Sequence, residues 1–288
     1  MIWNLGSINI DNFYEVSHLP AAGETLAAHS YGFGLGGKGA NMSVAAARAA
    51  ARVSHIGAIG ADGRWTRERL MEYGVDTPHI AQVKGPTGHA NILIDRRGEN
   101  SIVLFQGANS QLTEAIIGAA LTEASPKDFL LMQNETNGQE YAAATARSLG
   151  LRVAYAAAPF DAGALTRLAG RIDLLILNEV EAAQLDAGAG PALGMLGVQD
   201  MIVTLGEKGC KWISDKGEKH FEAYPAEAVD TTGAGDTFTG YLVAGLDRGM
   251  PMDVAVDLAL KAGAMMVERR GTADVIPDLK EIQDRFGL

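Results

Sequence analysis

Cysteine is almost missing from the sequence: Cys210 is the only one in 288 residues. No disulfide can form within the chain, and a reducing compartment, the cytoplasm, is the expected setting. The six histidines are scattered without metal-ligand spacing, which argues against a His-based metal site. Positive charge is also scarce, with 24 Lys and Arg against 35 Asp and Glu and a net charge of −11. No basic stripe is present, so nucleic acid and anionic membrane surfaces are poor partners. No apolar run reaches the length of a membrane span. The opening "MIWNLGSINI" has no basic region ahead of a long apolar run, and it reads as a first strand rather than a signal peptide. Internal repeats, low-complexity tracts and linkers are lacking too.

What is present is a core and an alternation. Apolar residues make up 47% of the chain, enough for one large α/β domain or one domain with a small appendage. Short β-like runs at 2–8, 53–59, 129–133, 153–157, 174–177 and 201–205 alternate with helical patterns at 41–51, 64–73, 112–123, 140–149, 179–185, 236–248 and 252–268. This alternation predicts a mostly parallel sheet with helices on both faces. Two stretches break the rhythm and read as strand pairs without helices, the second around the turn "DRRGEN". The expected partition is a main α/β domain over 1–8, 35–86 and 107–288, with a small β-sheet lid from 9–34 and 87–106.

The stretch "YGFGLGGKGANMSV" holds five glycines between Gly32 and Gly39. It does not satisfy the phosphate-loop pattern, because Gly39 stands where a Ser or Thr should bind magnesium. It does not satisfy the dinucleotide fingerprint either, since it lies far from the first strand and the strand at 53–59 ends without an acid. Two readings remain open at this point. The glycines let a ligand approach the backbone, with Lys38 and Asn41 as polar contacts, or they form a tight turn needed only for chain geometry.

A second stretch, "AVDTTGAGDTFTGYLVAGL", places Gly233, Ala234, Gly235 and Asp236 at the start of an apolar helix. An aspartate beside glycines is often only a helix cap. Three small residues directly before it exceed what capping requires, and they open the backbone N–H groups to an anion. Fixed donors facing phosphoryl oxygens, with a carboxylate to take a hydroxyl proton, are what phosphoryl transfer needs.

Together "GGKGAN" and "DTTGAGDTF" resemble the two signatures of the ribokinase-like (PfkB-type) carbohydrate kinases. The resemblance spans the chain, because "GSINIDNF", "GANSQLT", "LNEVEAAQL", "VTLGEKG" and "RRGTADVIP" follow in family order. It implies a three-layer sandwich with a β-lid and transfer of the γ-phosphoryl group of ATP to the primary hydroxyl of D-ribose. Deoxyribose, fructose, a ketodeoxy sugar acid or a nucleoside are the alternative substrates, and a non-catalytic sugar sensor is the alternative of a different class. Carried over by position, Asn9, Asp11, Gly37, Lys38, Asn41 and Glu135 would hold the sugar, with Ala90, Ile92 and Leu104 as its apolar wall. Asp236 would be the base, and Gly233, Ala234 and Gly235 the anion hole. Asn178 and Glu181 would organise Mg2+ and the ATP phosphates, while Thr204, Gly206 and Gly209 would line the nucleotide site. Asp230 and Thr232, with carbonyls near Arg269, Gly271 and Val275, resemble the family's K+ site. Lys261 departs from the family at the expected adenine pocket. His89 and Asn91 are polar on an apolar lid strand, and period two turns them away from Ala90 and Ile92, toward solvent or a partner. The resemblance also implies a homodimer formed through the lids.

Overall fold

A computed structural model describes residues 1–186 and 196–287. Its strands, in chain order, are β1 (Ile2–Leu5), β2 (Asn9–Glu15), β3 (Ser30–Gly36), β4 (Val53–Ile59), β5 (Ile80–Gln82), β6 (Gly88–Ile94) and β7 (Asn100–Phe105). They continue as β8 (Phe129–Met132), β9 (Arg152–Ala156), β10 (Leu174–Asn178), β11 (Asp200–Thr204), β12 (Cys210–Ser214) and β13 (Gly217–Phe221). The helices are α1 (Lys38–Arg48), α2 (Arg64–Glu72), α3 (Glu114–Leu121), α4 (Gln139–Ser148), α5 (Ala162–Leu168), α6 (Glu179–Gln184), α7 (Ala234–Asp247), α8 (Met252–Met266) and α9 (Leu279–Phe286).

Period two explains why the main sheet has two cores. In β8, Phe129 and Leu131 join one apolar cluster while Leu130 and Met132 join the other, and β9 divides Ala154 and Ala156 from Val153 and Tyr155 in the same way. Strands apolar on both faces must be covered on both. Helices α1, α7 and α8 cover the first face, and α3, α4 and α5 cover the second. The strand order is β13-β12-β11-β10-β9-β8-β1-β4-β5. All neighbours are parallel except the β11–β12 and β12–β13 pairs at one edge. From β1 the chain moves outward to β4 and β5, then crosses to β8 on the other side of β1. Where the direction of winding reverses, the loops leaving the strand ends diverge and open a crevice. Here that crevice lies beyond the carboxyl ends of β1 and β8.

The glycine loop closes the crevice from one side. A side chain at Gly39 would lie 2.3 Å from Ser7 N and 2.4 Å from Gly6 Cα, so the first turn of α1 rests backbone to backbone on the exit of β1. A buried polar network holds this contact. Asn4 donates to the Gly39 carbonyl at 2.7 Å and to Ser43 Oγ at 2.7 Å. His55 pairs with Ser43 at 2.8 Å and with the Gly6 carbonyl at 3.0 Å. Burial pushes the His55 imidazole down to about 4, so it is neutral and serves as one donor and one acceptor. On its other side α1 packs on α7 with Ala45 set against Gly240.

A separate sheet of order β3-β2-β6-β7 forms the lid, with β2 parallel to β6 and the outer pairs antiparallel. Several boundaries differ from the expected ones. Strand β1 stops at Leu5 rather than Ile8, because the chain must turn at Gly6 to meet Gly39. Helix α1 starts at Lys38 rather than Asn41, since Gly37, at φ 91°, already serves as its N-cap. Strand β3 continues to Gly36, past the expected lid boundary. Strand β5, the β12–β13 hairpin, α5 and α9 were not anticipated from pattern. Among the described residues no helix is long and apolar enough to cross a membrane.

Two glycines separate a packing role from an open one. Gly39→Ala forces backbone apart at the β1–α1 contact, an overpacking cost of about 1–3 kcal/mol. Its melting temperature should fall by about 3–10 °C. At Gly235 an added Cβ meets none of the described residues within 4 Å, so Gly235→Ala should melt like the parent protein. Scanning calorimetry of both variants decides it, and equal melting temperatures would remove the packing role from Gly39.

Candidate active site

The crevice collects side chains from distant parts of the chain. Asn41, closing the first turn of α1, donates Nδ2 to Asp236 Oδ2 at 2.9 Å, and both residues are buried. The α1–α7 contact makes this possible, because two closely packed helices bring their N-terminal turns together at one end of the sheet. Glu135, just past β8, accepts from Ser7 Oγ at 2.5 Å and from the Lys38 backbone N–H at 3.0 Å. Ser7 also accepts the Gly39 N–H at 3.2 Å, so one hydroxyl ties β1, α1 and the β8 loop together. Asn9 and Asp11 lie on the buried face of β2, two residues apart as the pleat requires. The space a side chain at Gly36 would take is filled by the Asp11 carboxylate.

Charge is concentrated here. Burial raises the Asp11 carboxyl from 3.8 to about 7, and the nearby charges of Glu135 and Asp236 push it the same way. Burial also raises Glu135 and Glu181. The Lys38 ammonium is raised as well: Asp236 first, then Glu135 and Glu181, hold it protonated against the cost of its own burial.

The start of α7 presents open donors. Gly233 takes φ 74° as the N-cap, a left-handed conformation that suits glycine. The Ala234 N–H is spent on the Thr231 carbonyl at 3.2 Å, whereas the N–H groups of Gly233, Gly235 and Asp236 have no backbone acceptor among the described residues. Gly235 is exposed. Three side-chain atoms near this end are buried without a partner among the described residues: Asn41 Oδ1, Gln133 Oε1 and Thr237 Oγ1.

The remaining expected positions divide. Asn178 and Thr204 are neighbours at the carboxyl ends of β10 and β11, with Gly206 exposed just beyond. Asn178 caps α6 by accepting the Glu181 N–H at 2.8 Å, and Glu181 Oε2 accepts the Asn178 N–H at 2.8 Å, a reciprocal capping box. At Gly209 a Cβ would meet the Phe221 carbonyl at 1.9 Å, so the close β12–β13 approach by itself requires glycine there. The Lys261 ammonium is committed to Asp257 at 2.8 Å and lies 5.4 Å from the Tyr224 ring and 5.7 Å from the Phe286 ring. Asp230 accepts the N–H groups of Thr232 at 2.9 Å and Gly271 at 3.3 Å, and Arg269 Nη1 donates to the Val275 carbonyl at 3.1 Å.

On the lid, Ala90 and Ile92 are buried on the face of Asp11, while Leu104, opposite Ala90, is 44% exposed on the edge strand. His89 and Asn91 lie on the other face and are half-buried: His89 stacks near Phe105 and Asn91 accepts from Asn12 at 3.3 Å. Sequence reasoning missed Ser7 and Asn109, although both sit inside the quoted stretches "GSINIDNF" and "GANSQLT".

Comparison with known proteins agrees over the full length. The chain is 37% identical to a ribokinase of Haemophilus influenzae over 96% of this chain and 95% of that protein. It is 34% identical to a ribokinase of Schizosaccharomyces pombe over 99% of this chain and 97% of that one. The solved structure of an Arabidopsis thaliana ribokinase complexed with ribose and ATP superimposes with a TM-score of 0.86 at 27% identity, covering 100% of this chain and 98% of that one. Residues 1–279 match the family described as "pfkB family carbohydrate kinase", and the chain belongs to that family.

Proposed function

We propose that this protein is an ATP-dependent kinase that transfers the γ-phosphoryl group of ATP to the primary hydroxyl of D-ribose, yielding ribose 5-phosphate. The observation that carries the reading is the Asn41–Asp236 pair. Because Nδ2 of Asn41 faces the carboxylate, its Oδ1 is left buried and unpaired, and such an atom calls for a donor. A ligand beside this pair must offer one donor to the amide oxygen, which has no partner among the described residues, and a second group that can give up its proton to the carboxylate. Sugar hydroxyls meet both demands. The relatives named above, one of them solved with ribose and ATP, support the choice of sugar and of nucleotide.

In this reading Asp236 accepts the proton of the attacking hydroxyl while its oxygen bonds to the γ-phosphorus and the bond to the ADP oxygen breaks. The free N–H groups of Gly233, Gly235 and Asp236 face the charge that develops on the phosphoryl oxygens, with the helix dipole behind them. Ala234 contributes its small size and not its N–H. Asn9, Asp11, Lys38 and Glu135 orient the sugar, Gly37 admits it to the backbone, and Ala90, Ile92 and the rim residue Leu104 cover it. Asn178, Thr204 and Gly206 line the nucleotide's path.

The residues fit a magnesium ion held mainly by phosphates and water. Among the described residues no cluster of three or more ligating side chains exists, and Glu181 keeps Oε1 free of its capping box. Bound there, the ion would neutralise phosphate charge. The oxygen atoms of Asp230, Thr232, Gly271 and Val275 suit a potassium ion, although Arg269 already occupies one lone pair of the Val275 carbonyl. A homodimer through the lids fits the exposure of Phe33, Val103 and Phe105, at 60%, 61% and 49%. A cytoplasmic location suits both substrates.

Asp236→Asn should keep the fold and ribose binding while kcat falls by about 10²–10⁴, the range for a positioned general base. Coupled-enzyme kinetics across a sugar panel test this, and near-normal turnover would remove Asp236 from the base role. The Asp11 carboxyl, raised to about 7 when folded, gives stability that is full below about 4 and is lost as pH rises through 7. Asp11→Asn removes that loss, so the melting temperature of the ligand-free variant relative to the parent should climb between pH 5 and pH 8. A difference that does not change with pH would refute the buried acid. Light scattering at micromolar concentration should give twice the monomer mass, and Val103→Asp on the outer lid face should give the monomer. A parent protein that scatters as a monomer would exclude the lid dimer.

A further inference from the structure

The stretch "GANSQLT" has a side chain whose place in the fold the proposed chemistry does not use. Asn109 is 1% exposed and sits in the short turn that leaves lid strand β7. Its amide faces the junction of β1 and β2: Oδ1 accepts the Ile8 N–H at 2.9 Å, and Nδ2 donates to the Ile8 carbonyl at 3.3 Å and to Asn9 Oδ1 at 2.8 Å.

These bonds have a forced direction. A backbone N–H can only donate and a backbone carbonyl can only accept, so Ile8 alone dictates which end of the Asn109 amide is oxygen and which is nitrogen. The second hydrogen of Asn109 Nδ2 then points at the Asn9 side chain and requires oxygen there. Asn9 is therefore left with its NH₂ group turned away from Asn109, on the β2 face it shares with Asp11. Close packing locks the pair. A side chain at Gly88, the first residue of β6, would lie 2.2 Å from Asn109 Nδ2 and 2.5 Å from Asn9 Oδ1. Three chain crossings between the main sheet and the lid thus meet at one amide: the entry to β2, the entry to β6 and the exit from β7.

We propose that Asn109 is a positioning residue that fixes the amide of Asn9 so that it offers a donor, and not an acceptor, to a sugar oxygen. This deepens the kinase reading and rests on Asn9 facing the sugar. Asp11 and Glu135 are acceptors when ionised, so a donor fixed at Asn9 supplies the complementary half of the recognition. A hydroxyl gives its hydrogen to a carboxylate and receives one at its lone pair.

The test is a double-mutant cycle read in KM. Asn9→Ala should raise the ribose KM about fivefold, as a single neutral hydrogen bond contributes, with ATP KM and kcat within twofold of the parent. Asn109→Asp keeps the shape and the Ile8 N–H acceptor but cannot donate to Asn9, whose amide then turns over; it should raise the ribose KM by the same factor. In the double variant the rise should equal that of Asn9→Ala alone, because the amide that Asn109 positions is gone. Multiplicative effects would show that Asn109 acts by general stability and would overturn the proposal. An unchanged ribose KM in Asn9→Ala would overturn it together with the placement of Asn9 at the sugar, while Asp236→Asn would still report on the kinase reading. If Asn109→Asp does not fold, Asn9→Asp serves instead. It keeps an oxygen for Asn109 and turns an acceptor to the sugar, so a ribose KM equal to the parent's would refute the fixed donor.

Discussion

Everything at the catalytic end of the molecule depends on one hydrogen bond, from Asn41 to Asp236, between residues 195 positions apart. It exists only because α1 and α7 pack side by side on the same sheet face with their N-termini at the same end. That packing needs small residues along both helices, and the alanine run of α1 meets Gly240 of α7 to provide them. The α1 end is set by a second close contact, Gly6 against Gly39, and by the neutral His55 and Asn4 beneath it. The active-site geometry is thus a consequence of how closely backbones approach, and the polar residues are delivered by packing rather than by long loops.

This explains which parts were legible in the sequence. The fully buried central strands and the longer helices announce themselves, because a parallel sheet covered on both faces needs continuous apolar runs. The β12–β13 hairpin does not, since it lies at the sheet edge and its outer strand, "GEKHF", is mostly exposed and charged. Strand β5 has three residues and no period to read. Helix α9 did carry a signal, Asp278 and Glu281 at capping-box spacing, and the structure forms that box.

At the site the same division holds. The residues carried over from the family signatures come together where the chain forms the crevice: Asn9, Asp11, Lys38, Asn41, Glu135 and Asp236. Residues that act by direction are harder to read. Asn178 and Glu181 spend their visible polarity on a capping box, Gly209 serves a hairpin, and Lys261 is neutralised by Asp257 among aromatic rings. Ser7 and Asn109 lie in quoted stretches, yet their partners are backbone groups, and no pattern of side chains reveals those. A residue type can be read one position at a time, whereas a hydrogen-bond direction needs the fold.

The charges impose a further order on the site. Glu135, Glu181 and Asp236 act on the Lys38 ammonium, and Asp11 lies near enough to Glu135 and Asp236 for both to push its carboxyl up. With the lid sheet over them, water screens these charges poorly, and a triphosphate entering the cleft would be repelled. The open N-terminus of α7 offers about half a positive charge and Lys38 one more, which together fall short of the four carboxylates. The deficit can be met in two ways: a divalent cation arriving with the nucleotide, or protonation of the most strained acid. Asp11 is that acid, its carboxyl raised to about 7 by burial and by the charges of Glu135 and Asp236. A sugar that donates hydroxyl hydrogens to it replaces the lost solvation and favours its ionised form. In the proposed reading, the charge of this one carboxylate, on strand β2 of the smaller sheet, links sugar binding to nucleotide binding.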